Sequence, residues 1–133
     1  MEPDDLLRSL YPAAENLPKD ILLQGPLRKV GSFPKRWQPR FFILTRKELR
    51  WHLPTEETVV EGRPRNAVPI SSIRAVTPVR NFKTLFGGSA SNSFSMVVFN
   101  EGRKKEYYMA ADTVAEMNQW VSTLNERIQE VRG

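Results

Sequence analysis

From Ile21 onward the chain alternates apolar and polar side chains in short runs that end at Gly, Pro or charged clusters, the two-residue period of strands with one buried face. The runs 21–30, 38–45, 48–53, 66–71 and 73–79 predict five strands, and 94–100 and 104–111 predict two more. Residues 31–36 (Gly-Ser-Phe-Pro-Lys-Arg), 45–48 (Thr-Arg-Lys-Glu) and 100–103 (Asn-Glu-Gly-Arg) read as hairpin turns between them. Two stretches break the rhythm. Residues 54–65, with Pro54, Gly62 and Pro64, read as a long loop; residues 81–93 read as a polar loop that also carries Phe82, Leu85 and Phe86, which would cover the barrel edge or meet a partner.

The last segment has a different period. Val114, Met117, Trp120, Val121, Leu124 and Ile128 recur at intervals of three and four, which predicts a helix of about four turns with one apolar stripe. Thr113 and Glu116 form a Thr-x-x-Glu capping box at its start. A single helix with one oily face needs one apolar surface to cover, and seven strands curled into an antiparallel barrel leave an open end of that size. Ahead of the strands, Leu6, Leu7 and Leu10 stand at helical spacing before Pro12, so residues 1–20 are expected to form an N-terminal extension, a short helix or tail, and residues 21–131 the folded domain.

At 133 residues and 40% hydrophobic, the chain fits one domain with a single core. It holds no run near the ~20 apolar residues of a membrane span and no basic-then-apolar leader pattern at its start. With no cysteine and one histidine it can build no disulfide, Cys-based zinc site, thiol nucleophile or multi-His metal site. Nor does it carry a Ser/His/Asp set, a Gly-rich phosphate loop or paired carboxylates placed for catalysis, so a binding module is expected rather than an enzyme, with no cofactor.

Charge sharpens this expectation. Between Arg28 and Arg50 stand eight Lys or Arg (28, 29, 35, 36, 40, 46, 47, 50) against one acid, Glu48, a local balance of +7 that exceeds the +5 of the whole chain. Residues 1–20 sum to −3 and 101–133 to −1, so the molecule has one basic end suited to an anionic partner such as a phosphorylated headgroup or an acidic membrane surface. Cations that merely guard a strand edge would explain it more blandly. A nucleic-acid binder pairs such charge with exposed stacking aromatics or a groove-reading helix, whereas most aromatics here sit within strand runs, which weighs against nucleic acid.

Strand parity places two of these cations. Side chains two apart share a face, so Leu27 and Lys29 point together, as do Arg40, Phe42 and Leu44. In both strands the core-facing row turns from apolar to cationic beside the same turn, which brings Lys29 and Arg40 together at the open end of the barrel. Lys offers a rotatable point charge and Arg a planar fork for a phosphate. Lys35 and Arg36, in the turn, could close over the same anion, and Arg50, Arg63 and Arg65 could border it. Phe33, beside that turn, suits an aromatic at a membrane interface, while Trp37 is expected against the barrel wall.

Seven strands followed by one helix with a central Trp resemble the pleckstrin homology (PH) domain, and five local motifs agree in order. Gly25-Pro26-Leu27-Arg28-Lys29 is similar to the family's opening Gly-x-Leu-x-Lys, and Trp37-Gln38-Pro39-Arg40-Phe41-Phe42-Ile43-Leu44 to its Trp-x-x-Arg-aromatic-Phe-x-Leu second strand. Leu49-Arg50-Trp51-His52, Tyr107-Tyr108-Met109-Ala110-Ala111 and Trp120 take the places of three further family motifs. The resemblance implies a mainly β fold, a seven-stranded antiparallel barrel or sandwich capped by one C-terminal helix. It also implies a cytoplasmic, peripheral-membrane module, expected to be monomeric, that recruits its protein to phosphoinositide headgroups; the alternative is a protein-interaction module on the same fold. The family's phosphoinositide binders carry Lys-x(n)-Lys/Arg-x-Arg-hydrophobic across the first hairpin. Lys29, Arg40 and Phe41 match it, but Gln38 stands where the middle cation is expected. The resemblance further assigns His52 to a position used by some members for a basic phosphate ligand.

Overall fold

The computed structural model describes residues 20–31, 35–54, 66–79, 82–84 and 88–133, with the backbone alone for 82–84, 88 and 89. Its strands are β1 (Ile21–Val30), β2 (Trp37–Thr45), β3 (Glu48–His52), β4 (Asn66–Pro69), β5 (Ile73–Val79), β6 (Phe82–Thr84), β7 (Gly88–Ala90), β8 (Ser93–Asn100) and β9 (Arg103–Ala110), followed by helix α1 (Val114–Arg132). Seven strands make one antiparallel sheet in the order β4-β3-β2-β1-β9-β8-β5, and β6 and β7 pair as a separate hairpin. The seven expected strands are therefore present. The stretch 81–93, expected to be a loop, contains the β6–β7 hairpin; strands of three residues are too short to print a period on the sequence.

Local chemistry explains the turns. Thr45 Oγ1 accepts from the backbone N–H of Lys47 and Glu48 at 3.2 and 3.1 Å, closing the β2–β3 hairpin. Between β8 and β9, Glu101 (φ 53°) and Gly102 (φ 77°) both adopt left-handed backbone, as a tight two-residue hairpin turn requires. The strand expected over 66–71 stops at Pro69, which has no N–H to donate. A 3-10 turn, Ile70–Ser72, follows, with Ser72 Oγ donating to Pro69 O at 2.7 Å.

The helix begins at its predicted cap: Thr113 Oγ1 accepts from Glu116 N at 3.1 Å and donates to the Glu116 carboxylate at 3.1 Å. Trp120, Leu124 and Ile128 are buried and Met117 and Val121 partly so, whereas Val114, at the stripe's first position, lies exposed in the opening turn. Asn125 Nδ2 donates to Val76 O at 3.2 Å, Arg127 Nε to Arg46 O at 2.8 Å and Arg132 Nη2 to Ile73 O at 2.9 Å, fastening the helix to both halves of the sheet.

Inside, Leu27, Phe42, Leu44, Leu49, Trp51 and Val68 from the first four strands meet Ile73, Val76, Phe94, Met96 and Met109 from the others. A line of aromatic rings crosses this core. Trp120 under the helix meets Phe42 edge-on at 6.2 Å, Phe42 meets Trp51 at 5.5 Å, and Trp51 meets Tyr107 edge-on at 5.4 Å. Tyr107, at the far end of this line of rings from Trp120, is buried.

Candidate functional site

β1 and β2 pair with Gly25 opposite Phe42, Leu27 opposite Arg40 and Lys29 opposite Gln38. Facing residues share a face, so the row that buries Leu27 and Phe42 continues into Lys29, Arg40 and Gln38 near the turn. Lys29 Nζ lies 5.3 Å from the Trp51 ring centroid and 5.2 Å from that of Tyr107. Lys105 Nζ, from β9, sits over the same Tyr107 ring at 4.8 Å. Burial, reinforced by the charges of Lys105 and then Arg40, pushes the Lys29 amine down from 10.5 to about 8. Lys29 Nζ donates to Val30 O at 3.3 Å, and among the described residues no carboxylate pairs with it. Arg40 is held from two sides, Nη2 donating to Gln38 Oε1 at 2.9 Å and Nη1 to Pro39 O at 2.6 Å.

Beside these groups opens a cleft of about 300 Å³ lined by Lys29, Gly31, Lys35, Lys105, Tyr107 and Tyr108. The carboxylate among the described lining residues, Glu106, is turned to its neighbours. Tyr108 Oη donates to Glu106 Oε2 at 2.6 Å and Lys104 lies 3.4 Å from Oε1; these bonds hold the carboxyl below its usual range, the Tyr108 bond most of all. Lys29, Arg40 and Lys105, on three strands, thus lie close enough to act on one another, with little acid among the described residues to offset them. Such an arrangement has the charge and the donors to hold a multiply charged anion.

Lys29 and Arg40 are brought together as parity predicts, and Lys35 reaches the cleft. Arg36 is exposed, and its backbone carbonyl accepts from Gly31 N at 3.1 Å to close the turn. The other two expected ligands lie on the other face of the sheet. His52 faces Phe41 in the β2–β3 register, and Arg50 faces Ile43, so both belong to the outward row while Trp51 between them points in. His52 is fully buried and cannot meet a headgroup from solution. Arg50 pairs with Glu48, Nε donating to Oε1 at 3.1 Å. Trp37 underlies the Arg28 guanidinium at 5.8 Å, on the outward row. Phe33, Arg63, Arg65, Leu85, Phe86 and residues 1–19 of the N-terminal extension lie outside the described residues.

The family model for the PH domain matches residues 21–129. The chain belongs to the PH domain family. It is 27% identical to mouse pleckstrin homology domain-containing family A member 7, over 86% of this chain and 11% of that protein, so it spans about a tenth of that relative's length. Among solved structures, the Slm1 PH domain in complex with inositol-4-phosphate superposes with a TM-score of 0.61 at 19% identity, covering 80% of this chain and 94% of that one. The C-terminal PH domain of pleckstrin in complex with D-myo-Ins(1,2,3,4,5)P5 superposes with a TM-score of 0.60 at 24% identity, covering 80% and 97%.

Within this PH domain, sequence reading missed Lys105 and Tyr107 as members of the basic end. A signal for them existed. Counting back by two from buried Met109 puts Tyr107 and then Lys105 on the inward row of β9, where Tyr107 is buried and Lys105 exposed at its tip, as Leu27 and Lys29 lie on β1. What the sequence could not supply is that β9 lies next to β1, with Arg28 and Lys29 opposite Ala110 and Met109. No helix among the described residues is long and apolar enough to cross a membrane, and no group of three or more His, Cys, Asp or Glu there could hold a metal.

Proposed function

We propose that this PH domain is a binding module, not an enzyme, that recruits its protein to cytosolic membrane surfaces by holding phosphoinositide headgroups. The observation that carries this reading is the convergence of Lys29, Arg40 and Lys105 at one open end of the barrel. Lys29 and Arg40 would make the directional phosphate contacts, each charge-assisted bond contributing about 1.5–3 kcal/mol. Lys105, Lys35 and Arg36 would add the less directional attraction of about 1 kcal/mol each near an anionic leaflet. The inositol phosphates bound by the Slm1 and pleckstrin PH domains support the same ligand class here. Gln38 would act by orienting Arg40 rather than as a cation of its own.

Sedimentation with liposomes carrying each phosphoinositide in turn, beside a phosphatidylserine control at ~0.15 M salt where exposed charges are screened, tests this. Selective binding by the wild type, lost in Lys29→Ala/Arg40→Ala, is the expected result. Equal or absent binding across the panel would overturn it and leave the protein-interaction alternative.

A further inference from the structure

Lys29 combines features that a headgroup ligand does not by itself require. Its Nζ is pressed against the Trp51 and Tyr107 rings at 5.3 and 5.2 Å, on a half-buried side chain. The charged groups that bear on it are cations, Lys105 from β9 and Arg40 from β2, with Lys35 lining the same cleft. The carboxylate nearby, Glu106, is engaged by Tyr108 and Lys104. The rings themselves attract the ammonium, but half-burial and the two cations bearing on the amine make its neutral, nucleophilic form more accessible than in an ordinary lysine, and the cleft in front of it concentrates anions.

We propose that Lys29 Nζ is a selective acylation site for acyl phosphates, the cationic cleft holding the phosphate while the amine takes the acyl group. The Nζ lone pair attacks the acyl carbon and a C–N bond forms. The acyl C–O bond breaks, phosphate leaves with the electron pair beside Lys105 and Lys35, and the proton lost from Nζ passes to water. No oxidant or reductant is needed. With the amine at about 8, roughly a tenth is neutral at pH 7, against less than a thousandth for an ordinary lysine. The amide product carries no charge and cannot donate as an ammonium, so acylation would switch off the basic end; that consequence rests on the headgroup reading, whereas the acylation does not.

The test treats the full chain with acetyl phosphate at pH 7.5 and reads occupancy at each of its seven lysines by peptide mass spectrometry over time. Lys29 is expected to be acetylated at least ~10-fold faster than the mean of the others, as its larger neutral fraction allows. Inorganic phosphate should slow it selectively, and Lys105→Gln should slow it with acetyl phosphate more than with an uncharged acetyl donor. Uniform labelling, or Lys29 slower than the rest in a chain shown folded by circular dichroism, would overturn the proposal. So would labelling insensitive to both phosphate and Lys105→Gln. Liposome sedimentation of the acetylated chain is read separately, so failure of headgroup binding and failure of acylation are distinguishable.

Discussion

Gly31 and Gln38 fit together with no room to spare: a Cβ at position 31 would stand 2.9 Å from Gln38 Oε1, the atom that accepts from Arg40. The contact is with the far end of a flexible side chain, and Gly31 is absent from the positive-φ residues, so the backbone would tolerate alanine. Gln38 would move, and Arg40 would lose its acceptor. Gly31→Ala is therefore expected to leave stability within ~0.5 kcal/mol of wild type in urea unfolding. It is also expected to weaken phosphoinositide-liposome binding about 5-fold or more, the worth of one hydrogen bond of about 1 kcal/mol. A change in stability without a change in binding would remove Gln38 from its positioning role.

The lowered amine of Lys29 ties binding and stability to pH with opposite signs. Its value is about 8 in the folded chain against 10.5 ordinarily, so between those values the unfolded chain holds more protons. Stability contributed through this group therefore rises as pH climbs from 8 to 10.5, and the full penalty of the buried ammonium is felt below 8. Headgroup binding needs the ammonium and should fall through the same window. Lys29→Met, which removes the charge, is expected to stabilise the domain at pH 7 by about 1 kcal/mol once discounted for the solvent that still reaches the group. The stability difference between variant and wild type should shrink toward pH 10.5. Thermal melts at pH 7 and 9.5, beside sedimentation at the same pH values, read both trends.

Lys105 offers a check on the geometry that sequence did not reveal. Lys105→Ala is expected to lower phosphoinositide-liposome affinity about 5-fold, the value of one cation near the leaflet. It should also raise the Lys29 amine, because Lys105 is the larger of the two charges opposing its proton. Titration of the lysine side chains by NMR would show that rise; an unmoved Lys29 would mean that the two do not share the site.

The parts that could be read from sequence are those written in short-range periods. The alternation of Leu27, Lys29 and of Arg40, Phe42, Leu44, the three-and-four spacing of Trp120, Leu124 and Ile128, and the Thr113–Glu116 cap all reappear in the structure. Motif position and charge point His52 and Arg50 to the basic end, whereas counting from Trp51 puts both on the other face. Lys105 was missed because its place depends on β9 lying beside β1, a pairing between residues some 80 positions apart that local pattern does not encode.

His52 and Arg50 supply the converse experiment, since a group on the outward row should matter to folding and not to ligand. His52 is fully buried, and truncating it removes buried packing, so His52→Ala is expected to cost about 1–3 kcal/mol in urea unfolding. Arg50 makes a partly exposed ion pair with Glu48, and Arg50→Ala should cost no more than about 1 kcal/mol. Neither change should alter phosphoinositide-liposome affinity when binding is scaled to the folded fraction, whereas Arg40→Ala should lower it about 10-fold or more through the loss of a charge-assisted bond. A selective loss of binding in His52→Ala with stability intact would return that residue to the site and contradict the outward orientation that the β2–β3 register gives it.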